Sequence, residues 1–201
     1  MESEEKRVSW SEYLALEGLT DDDRRLDFSY GVVVAQGAPS QDHETIVSNL
    51  TLLLGPTIRA RGCRFYMKQT LRRPGEFSHD PDFLVSCAPA DLGPGEHRKR
   101  GRIEFPALIV EVLSPSTRAF DLDDKVTNYA TYASLLHYVI IDTARQRVTY
   151  FHRAVGEEEF RRQVVPDRLV CDGFTPPGGV PVSELYDGTY VPALTVLADQ
   201  P

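Results

Sequence analysis

The residues best placed to do chemistry lie between Phe105 and Tyr129. Ala107 to Leu113 is a short apolar run rich in β-branched residues, bounded by Pro106 and by Ser114-Pro115, which predicts a strand buried on both faces of a sheet. Glu111 stands in its middle. An ionised carboxylate left alone there is costly, so Glu111 must be protonated, paired with a cation, or coordinated to a metal. A second acid, Asp82, stands at the entrance to the apolar run Phe83-Leu84-Val85. If the two strands are neighbours, both carboxylates can converge on one divalent ion, because hard cations take carboxylate oxygens and water. Lys125 follows on a predicted helix, where Asp121, Lys125 and Tyr129 share one face at i, i+4 spacing. The spacing alone is also met by a buried Glu111–Lys125 ion pair with Asp82 as a turn residue.

These residues resemble a known family. Pro81-Asp82, the run Val110-Glu111-Val112-Leu113-Ser114-Pro115-Ser116-Thr117, and Asp121 with Lys125 are similar to the Uma-type family of restriction-endonuclease-like proteins, within the PD-(D/E)XK nuclease superfamily. Upstream, Leu26-Asp27-Phe28-Ser29-Tyr30-Gly31 and Pro39-Ser40-Gln41-Asp42-His43 resemble its N-terminal hairpin and the start of its first long helix. Downstream, Leu136 to Asp142 resembles the strand after its lysine helix, so that the likeness spans roughly residues 9 to 186. It implies an α/β fold with a mixed central β-sheet flanked by helices. It also implies a DNA endonuclease that uses Mg²⁺, with Mn²⁺ as a substitute, and no organic cofactor. Asp82 and Glu111 would hold the metal and Lys125 would supply the amine. Around them stand Asp27, His43, Gln69, Asp121 and Tyr129. Two departures are notable. The superfamily lysine lies two residues past the second acid, where this chain has Leu113; and relatives usually have Glu where this chain has Asp27. An idle nuclease fold that binds nucleic acid or a protein partner is the alternative of a different class, since fold does not establish function.

The positioning elements are legible in outline. Ser9 and Glu12 form a capping box ahead of a short helix ended by Gly18. A hairpin runs from Arg24 to Gln36 and turns at Tyr30-Gly31; Asp27 on it is either a turn residue or a site residue. Ser40 caps the main amphipathic helix, bent or ended near Pro56 and closed by Gly62, with His43 in its first turn as a capping, packing or site-facing residue. Alternation from Cys63 to Leu71 predicts one half-buried strand with a basic outer face. A long loop follows from Ser86 to Glu104. Tyr138 to Asp142 is a buried strand, Arg147 to His152 and Glu159 to Val165 an antiparallel pair, and residues past Gly188 a weakly tied tail.

The 201 residues, 41% hydrophobic, suit one domain over residues 1–201 with a sizeable core. A net charge of −8 excludes a protein that coats DNA by sheer basicity. The distribution differs: residues 59–102 carry ten Lys and Arg against five Asp and Glu, a net of +5 within a remainder of −13. A solvated charged face would read the same way; as a phosphate-facing surface, Arg64, Lys68, Arg72, Arg73, Arg98, Lys99 and Arg100 are the candidates. Three scattered cysteines without a Cys-x-x-Cys pair predict reduced core thiols and no zinc. No run is long and apolar enough to span a membrane, and a cytoplasmic location is expected. A duplex cutter with one site per chain is expected to be a homodimer.

Overall fold

The computed structural model describes residues 7–19, 25–93, 103–113 and 118–193. Its frame is a mixed six-stranded sheet in the order β10-β9-β8-β7-β6-β3. The strands are β3 (Arg64–Tyr66), β6 (Phe83–Ser86), β7 (Pro106–Val112), β8 (His137–Asp142), β9 (Arg147–His152) and β10 (Arg161–Val165). Only β7 and β8 pair in parallel. A second sheet, in the order β2-β1-β5-β4, holds β1 (Leu26–Ser29), β2 (Val32–Ala35), β4 (Leu71–Arg73) and β5 (Phe77–His79). A small pair of β11 (Arg168–Leu169) and β12 (Val180–Pro181) lies beyond them.

The helices are α1 (Trp10–Glu17), α2 (Gln41–Ala60), α3 (Pro89–Leu92), α4 (Arg118–Leu122), α5 (Asp124–Ala130) and α6 (Val182–Leu185). The capping box of Ser9 and Glu12 closes the start of α1, and Tyr30 and Gly31, both at positive φ, make the hairpin turn between β1 and β2. α2 runs on through Pro56 instead of ending there. Pro56 is exposed, and proline removes only one ladder bond, which leaves Ile46, Leu50, Leu54 and Ile58 free to continue the buried face.

Alternation along β7 sorts the core. Leu108, Val110 and Val112 pack with α2 on one face, while Ile109 and Leu113 join Leu84, Tyr129, Tyr138 and Ile140 on the other. Glu111 therefore points to the second face, the side that carries α5.

Three expectations are corrected. The strand read from Cys63 to Leu71 is two strands in two sheets, β3 and β4, because Lys68 takes φ +55 and its N–H bonds to the Pro81 carbonyl, turning the chain between them. Cys63 and Cys87 are joined in a disulfide, leaving Cys171 as the buried free thiol. Their positions follow from β3–β6 pairing: Arg64 faces Ser86, so the residues just outside that pair face each other. The stretch after Gly188 is tied as far as residue 192, with the Tyr190 N–H on Asp42 Oδ1, Val191 buried, and the Gln146 N–H on the Pro192 carbonyl. No helix among the described residues is long and apolar enough to cross a membrane.

Candidate active site

Antiparallel pairing of β6 with β7 sets Leu84 opposite Ile109 and Phe83 opposite Val110. Continuing that register puts Asp82, just before β6, across from Glu111. Both acids fall on the face of Leu84 and Ile109, so the two lie on neighbouring strands and one side of the sheet.

Glu111 is 3% exposed. Its Oε1 accepts from Lys125 Nζ at 3.0 Å and from Tyr129 Oη at 2.8 Å. Lys125 is drawn in from α5 to the centre of three carboxylates: Asp121 Oδ1 at 2.8 Å, Glu111 Oε1 at 3.0 Å and Asp27 Oδ2 at 3.4 Å. Asp121 belongs to α4 and Lys125 to α5, with a break at Asp123 instead of the single helix expected, yet the i, i+4 approach survives the break.

Asp82 stands at the outer end. Its Oδ2 accepts from the Val112 N–H at 2.8 Å, and His43 Nε2 lies 3.1 Å from the same oxygen. His43, brought in by the first turn of α2, faces the site and also helps close the helix start through its own N–H on Ser40 Oγ. The Asp82 side chain is 14% exposed against 2% for Lys125, so the cluster opens to solvent at its Asp82 end.

Three carboxylates surround one ammonium, with Asp82 beyond them, and the proton affinities respond. Burial pushes Glu111 well above the usual carboxylate range; Lys125 opposes this, while Asp121 and Asp82 add to it. Burial disfavours the Lys125 ammonium, but Asp27, Glu111 and Asp121 outweigh it and raise its pKa well above the ordinary lysine value. Burial likewise works against an ionised Asp27, yet Lys125 and His79 together hold its pKa well below normal. Tyr129 is pushed up by burial and then by Glu111, so its hydroxyl stays a donor.

Asp27 is fully buried on β1 and held from four sides: Gln36 Nε2 at 2.8 Å, His79 Nδ1 at 3.3 Å, Lys125 Nζ, and the Asp80 N–H at 3.4 Å. It is no turn residue. His79 Nε2 accepts from Asn128 Nδ2 at 2.9 Å, which fixes the tautomer: Nδ1 carries the hydrogen and donates to Asp27. Asn128 donates its other hydrogen to Ser29 Oγ at 3.0 Å. This line of β1, β5 and α5 was not foreseen from the sequence. The signal was present in His79, an ionisable residue in the apolar-flanked run Phe77-Ser78-His79.

Of the basic candidates, Lys68 reaches Glu44 Oε1 at 3.4 Å, beside His43 and at the site's rim. Gln69 is partly buried and follows Lys68 in the turn between β3 and β4. Arg72 and Arg73 instead serve the second sheet: Arg72 pairs with Glu17 and lies over Trp10, and Arg73 lies over the Tyr132 ring. Arg64 is exposed on β3. Arg98, Lys99, Arg100 and the Ser114–Thr117 run lie outside the described residues.

Among the described residues, no three His, Cys, Asp or Glu side chains are grouped so as to hold a metal by themselves. The donors present are a two-carboxylate set. The hydrogen bonds fall on Glu111 Oε1 and Asp82 Oδ2, and Oε2 and Oδ1 accept none from the described residues. Two carboxylates completed by waters and substrate phosphate suit magnesium, which is commonly bound that way.

Comparison with known proteins agrees with this frame. Residues 10–176 match the family Uma2, described as "Putative restriction endonuclease". Two proteins of Synechocystis sp. (strain ATCC 27184 / PCC 6803 / Kazusa) are similar: uncharacterized protein slr1290, 28% identical over 61% of this chain and 63% of its own length, and uncharacterized protein sll1609, 26% identical over 77% of this chain and 85% of its own. The match thus spans less than two thirds of slr1290. A crystal structure of a putative nuclease belonging to DUF820, from Anabaena variabilis ATCC 29413, superposes with TM-score 0.69 at 16% identity over 89% of this chain and 97% of that one. The chain belongs to the Uma2 family and has its restriction-endonuclease-like fold.

Proposed function

We propose that this chain is a Mg²⁺-dependent DNA endonuclease that hydrolyses phosphodiester bonds at Asp82, Glu111 and Lys125, with Mn²⁺ able to replace Mg²⁺. The observation that carries the reading is the placing of Asp82 across from Glu111 on one sheet face, with a lysine ammonium on the inner side of Glu111. Asp82 and Glu111 would hold the ion, which when bound polarises the phosphoryl oxygen and lowers the pKa of attacking water.

The remaining roles fall to the chain itself. Lys125, its pKa raised by three carboxylates, keeps its proton at neutral pH; it is therefore a fixed positive charge beside the charge that develops on the phosphoryl oxygens, and not a base. Asp27 and Asp121 hold that ammonium in place without facing substrate. Tyr129 fixes the Glu111 carboxylate by its hydrogen bond, and His43 with the Val112 N–H fixes Asp82. The strand carrying Glu111 is buried on both faces, so these groups are rigidly aimed, as such chemistry requires. DNA enters from the Asp82 end, past Lys68. A homodimer would present the two sites that a duplex cut needs.

The test is nicking of supercoiled DNA by wild type and Glu111→Gln. With Mg²⁺ or Mn²⁺, wild type is expected to nick and the variant to lose about 10²-fold or more. If wild type leaves DNA intact with both ions, or the variant nicks equally well, the catalytic reading is wrong. One observation favours a second reading, an idle domain that binds nucleic acid: Lys125 already gives three buried carboxylates a cationic partner in the absence of an ion. Salt-sensitive DNA binding with no cleavage would be its signature.

A further inference from the structure

Farther along the face that carries Glu111, the sheet and α4 enclose a cavity of about 70 Å³ that no part of the proposed mechanism uses. Its charged lining is Arg118 from α4, Asp142 from β8, Arg147 from β9 and Arg162 from β10, over an apolar floor that includes Leu113 and Ile140. The register explains the gathering. Ile140 pairs with Glu111, Asp142 lies two residues on and pairs with Arg147, and Arg162 pairs with Phe151, over whose ring it lies at 5.8 Å.

The charges do not cancel. Arg118 lies 2.7 Å from Asp142 Oδ2, but without the alignment of a hydrogen bond. Arg147 and Arg162 have no carboxylate partner among the described residues. Three guanidiniums thus face one carboxylate, beside a Glu111 cluster of the opposite balance. A single water needs roughly 10–15 Å³ on this measure, so there is room for a tetrahedral oxyanion. Guanidinium forks match phosphate oxygens in pairs, whereas lysines do not. Asp142, two residues along and one strand across, is roughly 8 Å from Glu111, and Arg147 and Arg162 stand one and two strands farther at ~4.8 Å each, about three to five nucleotide steps of ~3.4 Å rise.

We propose that Arg118, Arg147 and Arg162 form a phosphate subsite that grips the nucleic-acid backbone a few nucleotides from the phosphate at Glu111. The polymer assignment rests on the nuclease reading; the anion site rests on the cavity.

The test uses fluorescence anisotropy of a short labelled DNA duplex in EDTA, so that nothing is cut, across a salt series. It compares wild type, Arg162→Gln, which alters only an exposed side chain, and the double change Arg147→Gln with Arg162→Gln. The double variant is expected to bind roughly tenfold more weakly, as for the loss of one charge-assisted contact, and to show a salt slope shallower by about 0.9, the value for one phosphate. Arg162→Gln alone should fall between. A double variant with wild-type affinity and slope overturns the subsite, as does a wild type that binds no DNA at low salt. Titration with inorganic phosphate separates the sources: saturable binding of free phosphate at the Thr149 and Asp142 amides, with DNA affinity indifferent to both arginines, overturns the polymer assignment. Arginine-dependent binding by a protein that never cuts supports the subsite and sinks the nuclease reading alone. Equal cutting by wild type and double variant does the reverse.

Discussion

Glu111 is the residue on which stability and chemistry meet. Its burial raises its pKa, so the folded protein holds a proton there more tightly than the unfolded chain does. The sign follows. Stability from this proton is fully present below the ordinary carboxylate pKa and is lost as pH rises through the folded value. A divalent ion must displace the same proton, so its affinity is expected to climb with pH, by up to ~tenfold per unit for one proton released, until Glu111 is ionised. Titrating Mn²⁺ at several pH values checks this; a flat profile contradicts it. Lys125 carries the opposite risk. Lys125→Met removes the ammonium that, among the described residues, pairs with Asp27, Glu111 and Asp121, and is expected to cost about 3–5 kcal/mol in urea unfolding as well as cleavage. Part of that stability should return as pH is lowered and the carboxylates protonate. A variant as stable as wild type at neutral pH would mean that Lys125 does not balance the cluster. His137 supplies an independent control. Burial pushes its pKa down to about 4, so it folds neutral while the unfolded chain protonates below about 6.5. Stability is therefore expected to fall as pH drops from about 6.5 to about 4, by at most ~3 kcal/mol from this residue, and His137→Phe should remove that part of the slope.

Among the elements, those with a strong local pattern were readable in advance and those fixed by distant partners were not. β7 was legible because a β-branched apolar run with one acid has few solutions, and α2 because its apolar residues keep helical spacing. The β3–β4 boundary was hidden because alternation continues through Met67 to Thr70, while the break is a backbone event at Lys68. The Cys63–Cys87 disulfide was missed because a separation of 24 residues has no local signature; it follows from β3–β6 register. In the site, Glu111, Asp82 and Lys125 stood out by type and setting. The His79–Asp27 contact, 52 residues apart in the chain, could not. That contact predicts an element-level effect. His79→Leu should leave Asp27 and Asn128 each short of a buried partner, costing about 1–3 kcal/mol and loosening α5 from β1 and β5. Hydrogen exchange checks it: amides of β1, β5 and α5 should lose protection together while β8 and β9 keep theirs. Uniform protection across all of them would mean that the line does not couple these elements.

At the scale of the molecule, the six-stranded sheet holds two charge environments on one face: an acidic pocket at Asp82 and Glu111, and the arginine cavity beyond Leu113. An acidic protein of net charge −8 can still hold a phosphodiester if some of its cations are gathered where the strand runs. The central claim is narrower than that. It is that Asp82 and Glu111, carried by neighbouring strands, jointly hold one divalent ion. Isothermal calorimetry of Mn²⁺ into wild type and Asp82→Asn, at equal protein concentration and pH, tests it most directly. One ion per chain in wild type, with affinity lost by tenfold or more in Asp82→Asn at unchanged folding, is the expected result. Equal binding by both proteins, or none by either, would contradict the account.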